Sequence, residues 1–143
     1  MRDYQISLKI LIIYIKSMIK IKRVYDKIDI HDGTRILVDR LWPRGVRRSS
    51  ANIDLWLKNV GPSDDLRKWF SHEPDKWPEF KKRYINELKT NPVFDKLLDI
   101  AMTTDPITLL YATKDPEKNN AAVLMEQLEI KIKKFKSLTN PEK

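Results

Sequence analysis

The chain has 143 residues, a length typical of one domain with one hydrophobic core. Hydrophobic residues make up 41% and charged residues 34% of it, which is too apolar for a disordered chain and too charged for a membrane protein. The chain has no cysteine and only two histidines, which excludes disulfides, thiolate or multi-histidine metal sites and cysteine nucleophiles, while the net charge of +8 favours an anionic partner.

The first 17 residues differ from the rest of the chain. Residues 10–15 form a short apolar run, far below the roughly 20 residues that a membrane span needs, and no small-residue cleavage site follows. Met18 directly precedes an alternating sequence that is typical of a strand. We therefore predict that residues 1–17 are a non-native or disordered extension, residues 18–138 are one domain, and residues 139–143 are a disordered tail. A cytoplasmic protein without a membrane anchor is expected.

Two strands are predicted in the first part of the domain. Apolar and polar residues alternate over residues 19–24, the pattern of a half-buried strand, and Asp32-Gly33 indicates a turn after it. Residues 35–39 are rich in β-branched side chains and predict a central strand. The arginine loop, which we define as residues 40–48, follows directly, and we expect a short turn of helix over residues 54–57.

Helices dominate the second part. Ser63 is the predicted N-cap of the first helix and Asp75 of the second, while Asn91 caps a third in which proline occupies the tolerated first position. Residues 107–112 form a short apolar run that predicts another buried strand. The last helix is predicted to begin with Asp115 as cap, again followed by proline.

These elements predict an α/β fold, with a small, mostly parallel sheet of about three to four strands flanked by helices in a single domain. In open α/β sheets, ligands bind beyond the carboxyl ends of the strands. There, the arginine loop and residues 113–115 would meet, and a helix N-terminus near Asp115 would add amide donors. The sequence therefore predicts an anion site at this edge of the sheet.

Several segments carry a family resemblance. Residues 32–45 contain the specific string DRLWPRG, and together with residues 66–72 and 108–112 they resemble the YeaO-like family, domain of unknown function 488, over about residues 18–128. The resemblance implies a bacterial or archaeal cytosolic protein that begins at a position like Met18. Glu73 replaces an aspartate in the His-Asp-Pro of the family. Lys118 replaces a histidine, which counts against a metal or acid–base role at that position.

Each candidate site residue also has a structural interpretation. Arg40 and Arg44 would either clamp a phosphate or hold the loop by pairing with Asp39 and Asp54. Trp42 would either stack on a base or pack in the core.

His72 has two interpretations as well. It would act as a general base beside Glu73, or it would cap the end of a helix. The candidate catalytic residues are His72 and Asp39. The candidate ligand-binding residues are Arg40, Trp42, Arg44, Tyr111, Lys114 and Asn119.

Three functions are compatible with these features. The favoured one is binding of an anionic small molecule that bears phosphate or carboxylate, with catalysis left open. The first alternative is a nucleic-acid module that contacts phosphates through the arginine loop and the terminal lysines. The second is an interaction subunit for an acidic protein. The sequence lacks a phosphate-binding glycine loop, a dinucleotide fingerprint and a nucleophile elbow, so no cofactor is predicted. It leaves the ligand and the oligomeric state open.

Overall fold

The computed structural model describes residues 19–104 and 106–138. Both the extension predicted for residues 1–17 and the tail predicted for residues 139–143 lie outside these described residues. The described part forms an α/β fold with a four-stranded sheet and four α-helices, as predicted. The strands are β1 (Ile19–Arg23), β2 (Thr34–Leu37), β3 (Leu55–Trp56) and β4 (Ile107–Tyr111). The helices are α1 (Asp64–Phe70), α2 (Trp77–Leu88), α3 (Pro92–Thr103) and α4 (Asn120–Leu138).

The sheet is parallel throughout, with strand order β1-β4-β2-β3. Strand β4 lies between β1 and β2, and Leu109 pairs with both Ile21 and Ile36. All five residues of β4 are buried because other segments of the same polypeptide cover both faces of the sheet at this strand. This parallel arrangement brings the carboxyl ends of all four strands to the same edge.

The two faces of the sheet are covered differently. One face presents Ile36, Val38 and Leu109 to a core that includes apolar residues of all four helices. The opposite face presents Leu37 and Leu110, which pack against side chains from the arginine loop and from the segment leading into β3. Trp42, Val46, Ile53 and Trp56 supply that cover. The apolar residues of the arginine loop therefore hold the loop against this second face of the sheet.

A buried cluster of charged side chains also stabilises this second face of the sheet. The Asp32 carboxylate accepts from Arg35 Nη1 at 2.6 Å and from Lys22 Nζ at 3.0 Å, and the Asp32 carbonyl accepts from Thr108 Oγ1 at 2.7 Å. Burial by itself would raise the pKa of Asp32. The hydrogen bonds from Lys22, the Asp29 amide and Arg35 outweigh burial and hold that pKa well below its usual value. The Arg35 Nε group donates to Asn52 O at 2.8 Å, so the cluster also fixes the segment between the arginine loop and β3.

Two of the predicted helix caps are confirmed. Ser63 Oγ accepts from the Leu66 amide at 3.1 Å before α1. Asn91 Oδ1 accepts from the Val93 amide at 2.8 Å before α3, and Pro92 is the first residue of that helix. These caps are local hydrogen bonds, so the sequence alone specifies them.

Three local predictions are wrong. Residues 55–56 form strand β3 rather than helix, because the backbone of β2 provides hydrogen-bond partners that no local pattern shows. Asp75 does not cap α2, since a 3₁₀ turn (Pro74–Lys76) precedes the helix and Lys76 stands at the N-cap position. Asp115 accepts from the amides of residues 117 and 118 and so closes a turn, whereas Asn119 Oδ1 accepts from the Ala122 amide at the start of α4.

Candidate functional site

A concave site of about 800 Å³ lies at the carboxyl edge of the sheet, a volume within the usual range for small-molecule sites. We call it the strand-end cleft. The connections that leave all four strands contribute to it, together with α1, the start of α2 and the first residue of α4. Its lining includes one carboxylate, one histidine and five cationic side chains, namely Asp39, His72, Arg40, Arg44, Arg67, Lys68 and Lys118. Asp39 is the one carboxylate among these lining residues, so the cleft is strongly cationic.

Most of the cations in the cleft lack a carboxylate partner. Arg44, Lys68 and Lys118 make no ion pair with any carboxylate of the described residues. Arg67 Nη2 contacts Asp64 Oδ1 at 3.1 Å, but Arg67 Nε is buried without a hydrogen-bond partner. A buried donor without a partner costs roughly 1–3 kcal/mol. The cleft therefore concentrates positive charge that the described protein groups do not neutralise.

Arg40 has a structural role within this lining. Its guanidinium donates to Pro62 O at 2.9 Å and to Gly61 O at 3.0 Å, and also contacts Asn59 Oδ1 at 3.3 Å. These partners hold the arginine loop against the segment before α1, through carbonyl groups rather than through Asp39 or Asp54. A Cβ atom on Gly61 would lie 3.1 Å from Arg40 N, so this close approach favours glycine.

Asp39 is largely buried in the wall of the cleft. Its Oδ2 atom accepts from the Ala112 amide at 2.9 Å, which joins the ends of β2 and β4. Burial raises the pKa of Asp39 to about 6, against the opposing effect of hydrogen bonds from Ala112 and the Asn120 side chain. A carboxyl group with this pKa exchanges its proton close to neutral pH, which makes Asp39 the strongest candidate for proton transfer in the site.

His72 lies exposed in the same cleft, immediately after α1. Ser71 and His72 both adopt left-handed backbone conformations, with φ of 45° and 57°. Glu73 does not orient the imidazole, because its carboxylate contacts Lys76 Nζ at 3.6 Å instead. Two consecutive non-glycine residues in this region store backbone strain, which is concentrated at functional sites. The sequence did not predict this strain, since no glycine or asparagine marks it.

The remaining candidates divide between the cleft, its neighbourhood and the core. Trp42 lines the cleft with part of its surface, but its indole donates to Val46 O at 2.8 Å and its ring packs edge-on against Trp56 at 5.3 Å. Asn119 also lines the cleft while its side chain caps α4. Lys114 lines an adjoining depression. Tyr111 is buried in the core and does not line the cleft.

Several lining residues were missed by the sequence interpretation. Arg67 and Lys68 lie in a predicted helix for which the sequence suggested no ligand contact, and Tyr25 follows the edge strand β1. The available signal for Arg67 and Lys68 was two adjacent cations on the polar side of a short helix. Within the described residues, no group of three histidine, cysteine or acidic side chains could hold a metal ion, and no helix is long and apolar enough to cross a membrane.

Similarity to known proteins extends over the whole domain. A family model described as the inactive DUF488-N3 subclade, DUF488-N3i, matches residues 18–142. The uncharacterized protein YeaO of Escherichia coli (strain K12) is 42% identical over 110 residues, which cover 77% of this chain and 96% of YeaO. The uncharacterized protein Rv3073c of Mycobacterium tuberculosis (strain ATCC 25618 / H37Rv) is 36% identical over 113 residues, covering 79% of this chain and 95% of Rv3073c. No solved structure gives a significant match.

Proposed function

The chain belongs to the YeaO-like DUF488 family, and on that premise we propose that it binds an anionic small molecule, bearing phosphate or carboxylate, in the strand-end cleft. One observation carries the proposal. Arg44, Lys68 and Lys118 line one cleft of ligand size and make no ion pair with a described carboxylate. An anion bound there would neutralise this charge, and the planar Arg44 guanidinium suits bidentate contact with phosphate or carboxylate.

Arg67 adds a further cation to the same wall of the cleft. Its side chain is 37% exposed, and its Nη2 atom contacts Asp64 Oδ1 at 3.1 Å, which orients the guanidinium. Because the guanidinium is already held in place, little side-chain entropy would be lost on binding an anion.

We propose that the protein binds this anion without converting it. The matching family model is described as inactive, and we therefore propose no reaction. Asp39 and His72, the residues predicted to transfer a proton, both line the cleft and would face a bound ligand. An ionised Asp39 opposes a bound anion, so the affinity for an anion whose own charge is constant near pH 6 is expected to rise as the pH falls through about 6.

The experiment is a thermal-shift titration with inorganic phosphate, citrate, phosphorylated sugars and nucleotides. A ligand at a hundred times its dissociation constant stabilises the folded state by about 2.7 kcal/mol, roughly a 10 °C shift for a domain of this size. Arg44→Ala is expected to remove the shift. Arg47→Ala is the matched control, since Arg47 is exposed in the same loop and does not line the cleft. The absence of any shift, or an equal loss in both variants, would reject the proposal.

A polyanion is the second candidate, favoured by the exposed Lys131, Lys133 and Lys134 near the end of α4. With a rise of 1.5 Å per residue, these lysines lie about 16–21 Å along the helix from Asn120, which lines the cleft. One ligand would have to span that distance to touch both regions. Duplex DNA binding would show log-affinity falling with log salt at about −0.9 per phosphate contact, and substitution of the three lysines would reduce that slope.

A further inference from the structure

We propose that the anion bound in the strand-end cleft carries a planar aromatic group, so that the ligand class is an aryl or heteroaryl phosphate or carboxylate. This inference rests on the proposed function and narrows it. The cleft is lined both by cations that lack a carboxylate partner and by aromatic rings. Tyr25, Phe70 and Trp77 all line it, and each retains exposed ring surface.

Tyr25 is held as a fixed ring surface. Its side chain is 46% exposed, but its hydroxyl donates to Arg44 O at 2.7 Å. The Arg23 guanidinium lies 4.7 Å from the ring centroid, and it is fixed in turn by donation to Ala112 O and Thr113 O at 3.0 Å each. The ring is therefore both exposed and ordered. A pre-ordered ring loses little entropy when a flat ligand group packs against it.

Phe70 and Trp77 form a second aromatic surface at the cleft. Phe70 packs 4.5 Å from Phe80, and Trp77 stacks 5.3 Å from the same ring. Phe80 is buried, whereas Phe70 and Trp77 are half-buried, so the outer part of this cluster is left to the cleft. The His72 ring lies 6.2 Å from Phe70, placed there by the left-handed residue pair after α1.

Tyr25 and Phe70 lie where the strand-end cleft joins a second depression, whereas Trp77 lines the cleft alone. A depression of about 550 Å³, with Lys114 in its lining, shares Tyr25, Phe70, His72 and Lys118 with the strand-end cleft. Cations on both sides of the shared wall, Lys68 in the cleft and Lys114 in the depression, could each contact an anionic substituent. Exposed aromatic rings beside unpaired cations suit a ligand that offers a ring and an anionic group together.

The test uses matched ligands and the full-length protein. Isothermal titration calorimetry compares phenyl phosphate with methyl phosphate, and adenosine 5′-monophosphate with ribose 5-phosphate. Stacking of a base on an aromatic side chain is worth about 1–3 kcal/mol, or roughly 5- to 140-fold in affinity. We expect the aromatic member of at least one pair to bind about fivefold or more tightly. Equal affinity within both pairs overturns this inference while leaving anion binding intact. Failure of all four ligands, and of citrate and inorganic phosphate, rejects the proposed function as well.

Tyr25 provides the matched variants, because it is exposed and its removal leaves the core intact. Tyr25→Ala is expected to weaken the aromatic ligand several-fold more than its non-aromatic partner. Tyr25→Phe keeps the ring and its contact with the Arg23 guanidinium, and it is expected to retain most of the preference despite losing the bond to Arg44 O. Phe70→Leu tests the second surface, with circular dichroism as the check on folding. If Tyr25→Ala and Phe70→Leu both fold and both keep the full preference, the rings do not select the ligand.

Discussion

The buried carboxyl group of Asp39 predicts a specific dependence of stability on pH. Its pKa is about 6 in the folded protein, against 3.8 for the ordinary carboxyl group. The folded state therefore holds this proton more tightly than the unfolded state. The stability that Asp39 contributes is fully present below pH 3.8 and is lost as the pH rises through about 6.

The magnitude follows from the size of the shift. A difference of about 2.2 pKa units corresponds to about 3 kcal/mol in the free energy of unfolding, at 1.36 kcal/mol per unit. About 2 kcal/mol of this falls between about pH 4.5 and 7.5. Asp32, Asp64 and Asp115 have lowered pKa values, so their contributions change mainly at lower pH.

The assay is urea unfolding of the wild type and Asp39→Asn across that pH window. Asparagine keeps a carbonyl oxygen for the Ala112 amide but has no charge to desolvate. Relative to wild type, the variant is expected to gain about 2 kcal/mol between about pH 4.5 and 7.5. Subtracting the two proteins cancels the titration of groups that they share. A difference that stays constant over the window would refute the argument that burial penalises this carboxylate.

Three further substitutions test contacts that hold the fold together. Asp32→Asn is expected to cost about 3–5 kcal/mol, because Arg35 would remain buried without its counter-charge, and urea unfolding at pH 7 measures it. Arg40→Ala removes the donor to Gly61 O and Pro62 O and is expected to cost about 1–3 kcal/mol; a change below about 0.5 kcal/mol would contradict a structural role. Gly33→Ala is expected to be severely destabilising, with a large loss in melting temperature, since φ is +65° and the added Cβ would collide with Pro106 backbone.

The contrast within the cleft shows where sequence interpretation ends. Arg44 was predicted as a ligand contact and does line the cleft, whereas Tyr111, predicted in the same way, is buried in the core. The apolar run around Tyr111 gives the strand but not the face that each side chain occupies. Arg67 and Lys68 were not predicted, because nothing in their local sequence shows that α1 ends beside the carboxyl ends of β1 and β2.

The sequence by itself determined the elements whose causes are local. The caps at Ser63 and Asn91 bond to amides within three residues, and short runs rich in apolar residues mark β2 and β4. Together they were enough to predict a parallel α/β sheet and a basic site at its carboxyl edge.

Only the tertiary structure decided the features that depend on distant partners. Strand β3 exists because β2 offers it hydrogen bonds, and Arg40 reaches carbonyl groups 21 and 22 residues further along the chain. The pKa of Asp39 is raised because the folded chain buries its carboxyl group. The hydrogen-bond partner of that group, the Ala112 amide, is 73 residues away in the sequence. Burial and long-range hydrogen bonding are properties of the packed chain, and no local pattern of residues encodes them.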